Sequence, residues 1–420
     1  MKQVTAILLG AGARGQIYAN YAMEHPEELK IVAVAEPKTS RRIQFCEKYG
    51  ILSENQYKSW EPLLVHHRLA DAALVCTLDD LHTTPTLAAL EKGYHVLLEK
   101  PMSNTEDECR AIEAAARNAG RVLSVCHVLR YTPFYQKLKE LITAGFVGEL
   151  ASIDQIENVG YWHQAHSFVR GNWRNSAETS PMILQKSCHD LDIILWLMGR
   201  DCERISSFGS LRHFTPENAP KGAPARCLDG CPHSESCPYY APKLYLTHNI
   251  GWPTDMISTD LSYDGRVTAL KKGPYGRCVY HCDNDVVDRQ VVSMEFEGGA
   301  VASLTMTAFT TDSARQIKIM GSKGQITADM GANTIVLHRF GEDKPETFNI
   351  IPPKESNNYG HGGGDYCLMR DFVRLVQGQG RGDSLSSARA SLQSHLMCFA
   401  AERSRLSHTV TEMSKFLSHP

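Results

Sequence analysis

The chain contains no apolar run of the roughly 18–20 residues that a membrane-spanning helix requires, so no membrane partner is expected. Neither sign of charge is in excess. Forty-four Lys and Arg face 47 Asp and Glu, a formal −3, which removes the electrostatic case for a nucleic-acid or anionic-membrane partner. Internal repeats and low-complexity tracts are missing too. The opening MKQVTAILLGAGARG sets one lysine before a short apolar run that ends in glycines, with no small-residue cleavage site. It reads as a buried strand and not as a secretory leader, and a cytoplasmic protein is expected. What remains is 420 residues of ordinary globular composition, 42% hydrophobic and 22% charged. That is more chain than one core usually holds, and it is neither fibrous nor disordered; two domains are expected.

The two halves differ in pattern. Residues 1–128 alternate continuous apolar runs (VTAILLG, IVAVAEP, ALVCT, HVLLEKP, RVLSVCHV) with helix-like stretches. Strands buried on both faces and separated by helices make a parallel, doubly wound sheet, a Rossmann α/β domain. Over 129–420, segments such as RQIKIMGSKGQITADM and TIVLHRF alternate apolar and polar residues around glycine-containing turns. This predicts a C-terminal α/β domain with a large, mainly antiparallel open sheet, one face packed and one face available. Two helices near 364–378 and 386–406 close the chain, and irregular sequence at 214–285 reads as an insertion in the second domain.

Gly10-Ala11-Gly12-Ala13-Arg14-Gly15 fits G-x-G-x-x-G between a strand and a helix. Gly10 permits the tight turn, Gly12 lets the backbone approach a pyrophosphate, and Gly15 lets helix and strand pack closely. The helix opening at Ala13 and Arg14 then presents free N–H groups to the phosphates. Glu36 ends the next strand, where a carboxylate accepts hydrogen bonds from an adenosine ribose and repels a 2′-phosphate. NAD is therefore favoured over NADP, with Arg41 and Arg42 near enough to act in the opposite sense.

Glu99-Lys100-Pro101 ends a later buried strand. With GAGARG, His82 in HTTPTLAALEKG and the HDLD at 189–192, it resembles the glucose–fructose oxidoreductase/inositol dehydrogenase (Gfo/Idh/MocA) family over nearly the whole chain. The resemblance implies a cis proline that aims Lys100 into the cleft, where it orients a substrate hydroxyl and assists its proton transfer. It also implies that Thr77, His82 and Glu99 join Lys100 around the cofactor. His189 falls on the family's catalytic histidine, with Asp192 three residues along. Two positions depart from the pattern: Gln185 stands where an aspartate is usual, and Ser187 where a glycine is. Lys186, three residues before His189 and on the same helical face, is the neighbouring ionisable group and a catalytic candidate. Arg130-Tyr131 and Trp173-Arg174 resemble the family's Arg–aromatic and Trp–Arg pairs and are expected to line the substrate cleft, with His127 and Gln185.

Residue type alone marks the segment 161–170 for a polyhydroxylated ligand. Rings such as Tyr161 cover C–H faces, while His163, His166 and Arg170 bond hydroxyls or an anionic substituent. Of thirteen cysteines, five crowd one Pro- and Gly-rich segment: Cys227, Cys231, Cys237, Cys278 and Cys282. A reducing compartment argues against disulfides. Tetrahedral zinc needs four ligands, expected as Cys227, Cys231, Cys237 and Cys282, with Cys278, His233 and His281 as further candidates; an iron–sulfur cluster uses the same thiols.

The leading expectation is an NAD-dependent oxidoreductase that transfers a hydride from a secondary hydroxyl of a sugar, sugar derivative or cyclitol. Its partners are that small molecule and other copies of itself, as a homodimer or homotetramer through the C-terminal sheet. The alternative is an NAD-dependent glycosidase that works by transient C3 oxidation, elimination, hydration and re-reduction, with Tyr161, His163 or His166 as base. A nucleotide sensor without turnover would not need both Lys100 and His189.

Overall fold

The computed structural model describes residues 2–65, 67–357, 359–379 and 382–417. Six strands, β1 (Val4–Leu9), β2 (Leu29–Ala35), β3 (Gln56–Tyr57), β4 (Ala72–Val75), β5 (His95–Leu98) and β6 (Leu123–Val125), pair in parallel in the order β3-β2-β1-β4-β5-β6. Side chains on both faces of β1 and β4 enter apolar clusters, which is why these strands read as unbroken hydrophobic runs. Strand order reverses between β1 and β4. The crevice beyond the carboxyl ends of those two strands is where a doubly wound sheet takes its ligand.

A second sheet has nine strands, β7 (Leu150–Asn158), β8 (Cys202–Ser210), β9 (Arg289–Phe296), β10 (Val301–Thr307), β11 (Ala314–Gly321), β12 (Gly324–Asp329), β13 (Thr334–Arg339), β14 (Glu346–Asn349) and β15 (Thr411–Glu412). All neighbours run antiparallel except β7 and β10. Period-two alternation sends Val292, Met294, Leu304 and Ile319 into the core and leaves Ile156, Phe208, Val291 and Val301 on an exposed outer face.

Four helices matter for the site: α1 (Ala13–Glu24), α2 (Glu106–Ala119), α3 (Cys188–Met198) and α5 (Ala388–Ser407), with α4 (Gly364–Val376) between the last two. Helix α3 lies between α5 and the packed face of the sheet and is buried almost all round. Helices α4 and α5 fall between β14 and β15 of the second sheet in sequence but pack across to the first domain. Tyr366, Leu368, Met369, Phe372 and Val373 of α4 complete the cluster beside α1, and α5 packs on α2, α3 and β8. The insertion at 214–285 connects β8 to β9; these strands are antiparallel neighbours, so it leaves and returns at one end of the sheet. Among the described residues, no helix is long and apolar enough to cross a membrane.

Three buried imidazoles couple this packing to pH. Burial pushes His127 down to about 4 against the opposing Asp192, His166 down to about 4, and His395 down to about 3. Unfolding restores each toward its ordinary value near 6.5 and lets it bind a proton, so their contribution is fully present above pH 6.5 and is lost as pH falls toward 4. The expected outcome is a denaturation midpoint that is flat from pH 7 to 8 and drops steadily below 6.5, by up to ~1.4 kcal/mol per pH unit for each histidine. Denaturant titrations across that range check it; a midpoint unchanged down to pH 5 would refute the assignment.

Candidate active site

The glycine loop closes the switch point by contact. Gly10 has φ +94°, and a Cβ there would lie 2.4 Å from the Cys76 oxygen; one at Gly15 would lie 2.1 Å from the Gly10 oxygen. Gly12 is the opposite case: its Cβ would meet only Arg41 Nη1 at 3.8 Å, leaving open space above the backbone. Helix α1 begins at Ala13 with no side-chain cap, so its first N–H groups are free for a phosphate. Glu36 is buried at the end of β2, where Oε2 accepts from the Ala11 N–H at 3.0 Å and Oε1 from the Lys38 N–H at 2.9 Å. Arg42 turns back to donate to the Glu36 carbonyl at 2.6 Å, and Arg41 sits 3.5 Å from the Glu36 carboxylate. Open backbone, orphan donors and a carboxylate one strand away fit a dinucleotide.

The Lys100–Pro101 peptide is cis, as the resemblance implies. Glu99 accepts from Arg14 Nε and Tyr18 Oη, both at 2.7 Å, and from the Lys100 N–H at 2.8 Å. Arg14 reaches on to Asp365 in α4. The side chains of Arg14 and Glu99, expected at the cofactor, thus bind each other and brace the loop. His82 is likewise partnered within the protein. It has no exposed surface, and its ring nitrogens face the carbonyls of Pro101 (2.7 Å) and Thr77 (3.2 Å). The Thr77 hydroxyl donates to the Leu81 carbonyl at 3.0 Å.

Lys100 Nζ crosses between the domains and donates to the Gln185 carbonyl at 2.7 Å. The Gln185 amide donates to the Trp173 carbonyl at 2.8 Å, and Trp173 Nε1 donates back across the cleft to Asp79 at 3.2 Å. Lys186 points to the sheet, where it pairs with Glu157 at 2.8 Å; Arg315 joins Glu157 (2.9 Å) and Asp190 (2.7 Å) in the same ladder. His189 is buried with His127 and His361 each 5.8 Å from it, ring centre to ring centre. Burial first, then Lys100, His127 and His361, hold its imidazole well below the usual range, so it is neutral at physiological pH. Among the described residues its Nδ1 has no partner. The buried His163 ring meets the Val159 backbone, and after burial the Lys186 charge is the largest cause that depresses it.

The structure gives the polar atoms of several expected substrate residues partners within the protein itself. Arg130 is buried and grips Asp192 with two bonds, at 2.7 and 2.8 Å. The Tyr131 hydroxyl lies between those of Ser384 (2.9 Å) and Ser386 (3.0 Å). Arg174 pairs with Asp283 at 2.8 Å on an exposed loop. His166 bonds the Tyr245 hydroxyl at 2.9 Å and stacks on Tyr275, and Arg170 bonds the carbonyls of Arg277 and Tyr239, both at 2.7 Å; both side chains belong to the wall of the insertion. His127 lies behind His189 with no exposed surface, while Tyr161 packs against Tyr239. The metal expectation changes too: Cys278, and not Cys282, faces Cys227, Cys231 and Cys237 around one void. Cys282 turns away to donate to the Cys278 carbonyl at 3.3 Å. Sequence reasoning missed Asp79, Glu157 and the pair His361–Asp365 (3.1 Å). The last had a signal in Gly360-His361-Gly362-Gly363-Gly364-Asp365, a glycine run holding an acid–base pair, and His361 takes a positive φ of 54°.

Residues 4–127 match the pattern described as "Oxidoreductase family, NAD-binding Rossmann fold", and residues 139–411 that of "Oxidoreductase family, C-terminal alpha/beta domain". YteT of Bacillus subtilis (strain 168), which carries an oxidoreductase designation, is 27% identical over 77% of either chain. The 2,7-anhydro-N-acetylneuraminate hydratase of Escherichia coli (strain K12) is 27% identical over 50% of this chain and 54% of its own, so that match spans about half its length. In structure, the WlbA dehydrogenase of Bordetella pertussis in complex with NADH and UDP-GlcNAcA is similar in fold, with a TM-score of 0.69 at 17% identity over 98% of both chains.

The buried Glu36 and the withdrawn Arg42 yield a cofactor prediction. NAD is expected to bind more tightly than NADP, and Glu36→Ala to narrow the gap by about tenfold, the worth of one charge-assisted hydrogen bond to a ribose hydroxyl. Titrating both nucleotides against both proteins checks it, and tighter NADP binding by the unaltered chain would overturn it.

Proposed function

The chain belongs to the Gfo/Idh/MocA oxidoreductase family, and from that premise we propose that it oxidises a secondary hydroxyl of a sugar, sugar derivative or cyclitol with Lys100 and His189 as its catalytic pair. One observation carries this reading: Lys100, set by the EKP turn of the first domain, meets the second domain at Gln185, three residues before α3, the helix that carries His189. NAD, bound over the glycine loop, supplies the electron acceptor. Lys100 Nζ donates to the substrate oxygen and stabilises the negative charge that grows there as the C–H bond weakens. His189, neutral and without a counter-ion, takes the hydroxyl proton on its ring. Gln185, the Trp173 ring and His163 form the side of the site toward the insertion, and the Lys186–Glu157 pair forms its floor. The exposed apolar positions on the outer face of the second sheet support assembly of two or four copies through that face.

A second reading rests on His163. Its neutral ring beside Lys186 supplies a further base, and Gln185 stands where the family usually carries an aspartate. Oxidation of a C3 hydroxyl acidifies the adjacent C–H. Loss of that proton to a base expels the aglycone, water adds to the resulting double bond, and the C3 carbonyl is reduced back to the alcohol. The relative named as a 2,7-anhydro-N-acetylneuraminate hydratase supports a step that adds water. No net reduced nicotinamide accumulates in such a cycle.

Lys100→Met and His189→Ala are each expected to lower turnover by about 10²-fold or more, the scale of a lost acid–base or electrostatic group, with NAD affinity little changed. Steady-state kinetics on a panel of sugars, cyclitols and aryl glycosides checks this. Near-normal turnover in either variant removes that residue's role. Aglycone release without net reduced nicotinamide selects the second reading, and His163→Ala should then block release while C3 oxidation persists.

A further inference from the structure

The insertion holds a cation that lacks an anion. Arg170 is 1% exposed, yet its neighbours are the carbonyls of Arg277 and Tyr239, the Tyr245 hydroxyl and, at 3.7 Å from Nη2, the sulfur of Cys227. Among the described residues, no carboxylate pairs with it. A guanidinium withdrawn from water without a counter-charge is strongly disfavoured. The groups gathered around it are sulfurs, and thiolates bound to a cation are the anions such a cluster supplies.

Those thiols are arranged by the backbone. The Cys227 N–H bonds the Gly276 carbonyl and the Cys278 N–H bonds the Ala225 carbonyl, both at 2.9 Å, so two distant segments run side by side and set Cys227 against Cys278. Turns linked by Cys237 N–H to the His233 carbonyl (2.9 Å) bring in Cys231 and Cys237. All four line one small void together with Arg170 and Tyr239. A backbone donor points at one sulfur as well: Ala241 N–H lies 3.4 Å from Cys227 Sγ. Donors aimed at sulfur stabilise thiolate and are wasted on a thiol.

We propose that Cys227, Cys231, Cys237 and Cys278 form a tetrathiolate site for one structural zinc ion, with Arg170 as its buried counter-charge. Binding releases four thiol protons and forms four Zn–S bonds. The dianionic centre that results is offset by the guanidinium. Four thiolates leave no coordination position open, so the ion does no chemistry. The sulfurs surround the void without closing on it: among the described residues, three or more potential metal ligands all within 4.8 Å of one another occur only at His25, Glu27 and Glu28. A change of χ1 moves a sulfur by roughly 3 Å, the scale of adjustment that closure on an ion requires. What the ion holds is the substrate wall. Arg170 ends the π-helical turn Gln164–Arg170, directly after Tyr161–His163, and Trp252 of the insertion packs on Trp162 and His163. The binding claim stands whichever reaction the site performs.

Elemental analysis of the full chain, purified without chelators, should find about one zinc per chain. Cys278→Ala should lose that zinc and Cys282→Ala should keep it. Displacement by an organomercurial should release zinc as four thiols react, a readout that needs no variant and so survives any folding failure of Cys278→Ala. Protein free of zinc, iron in its place with visible thiolate absorption, or zinc lost from Cys282→Ala but kept by Cys278→Ala would each overturn the proposal.

Discussion

The site hangs on one half-buried guanidinium that holds two buried carboxylates. Arg14 stands at the opening of α1, immediately after the open backbone of Gly12, and holds Glu99 of the EKP turn on one side and Asp365 of α4 on the other. Burial opposes the charge on Asp365, but Arg14 and His361 outweigh it and keep the carboxyl well below its ordinary range. Three segments separated by hundreds of residues are thereby fixed to one another: the glycine loop, the turn that aims Lys100, and the glycine run that sets His361 against His189. Removing one partner from such a buried pair typically costs about 3–5 kcal/mol, because the other charge is left without compensation. Alignment of the two domains follows from this hub more than from the short peptide that joins them.

Polar groups near the cleft divide into those already partnered and those left free. Arg130 with Asp192, Arg315 with Asp190, and Lys186 with Glu157 satisfy one another inside the second domain and build a rigid floor. Among the described residues His189 keeps a buried nitrogen without a partner, while the His163 ring meets the Val159 backbone. Buried polar atoms are normally satisfied, and exceptions mark places where a ligand or a proton completes the set. The neutral state of both rings has the same origin: burial, reinforced by cations from the floor and from Lys100.

The insertion extends this logic outward. Its own apolar clusters are small, centred on Tyr239 and Tyr280 in one case and on Tyr245 and Leu270 in the other. Segments with so little core need another constraint to hold a shape. Through Arg170, His166 and Trp252 it grips the 161–170 segment, so whatever orders the insertion also orders the wall where a substrate would lie.

Period and glycine placement made much of this molecule legible in the sequence. Unbroken apolar runs gave away strands buried on both faces, alternation gave away the open sheet, and Gly10, Gly12 and Gly15 could be read because only glycine tolerates those contacts. The EKP turn and the His189 helix were legible as local patterns for the same reason: each depends on neighbours in sequence. Long charged side chains were not. Whether Arg130, Arg170 or Arg174 faces substrate, a carboxylate or a carbonyl depends on which distant residue lies within a few ångströms, and nothing in local sequence encodes that distance. Cys278 was separated from Cys282 in the same way, by the pairing of 225–227 with 276–278 that turns one sulfur to the void and the other aside. Sequence alone determined the fold class and the chemistry available. Tertiary structure decided which polar groups satisfy each other and which remain free to act, because hydrogen bonds and ion pairs act over a few ångströms of space regardless of separation along the chain.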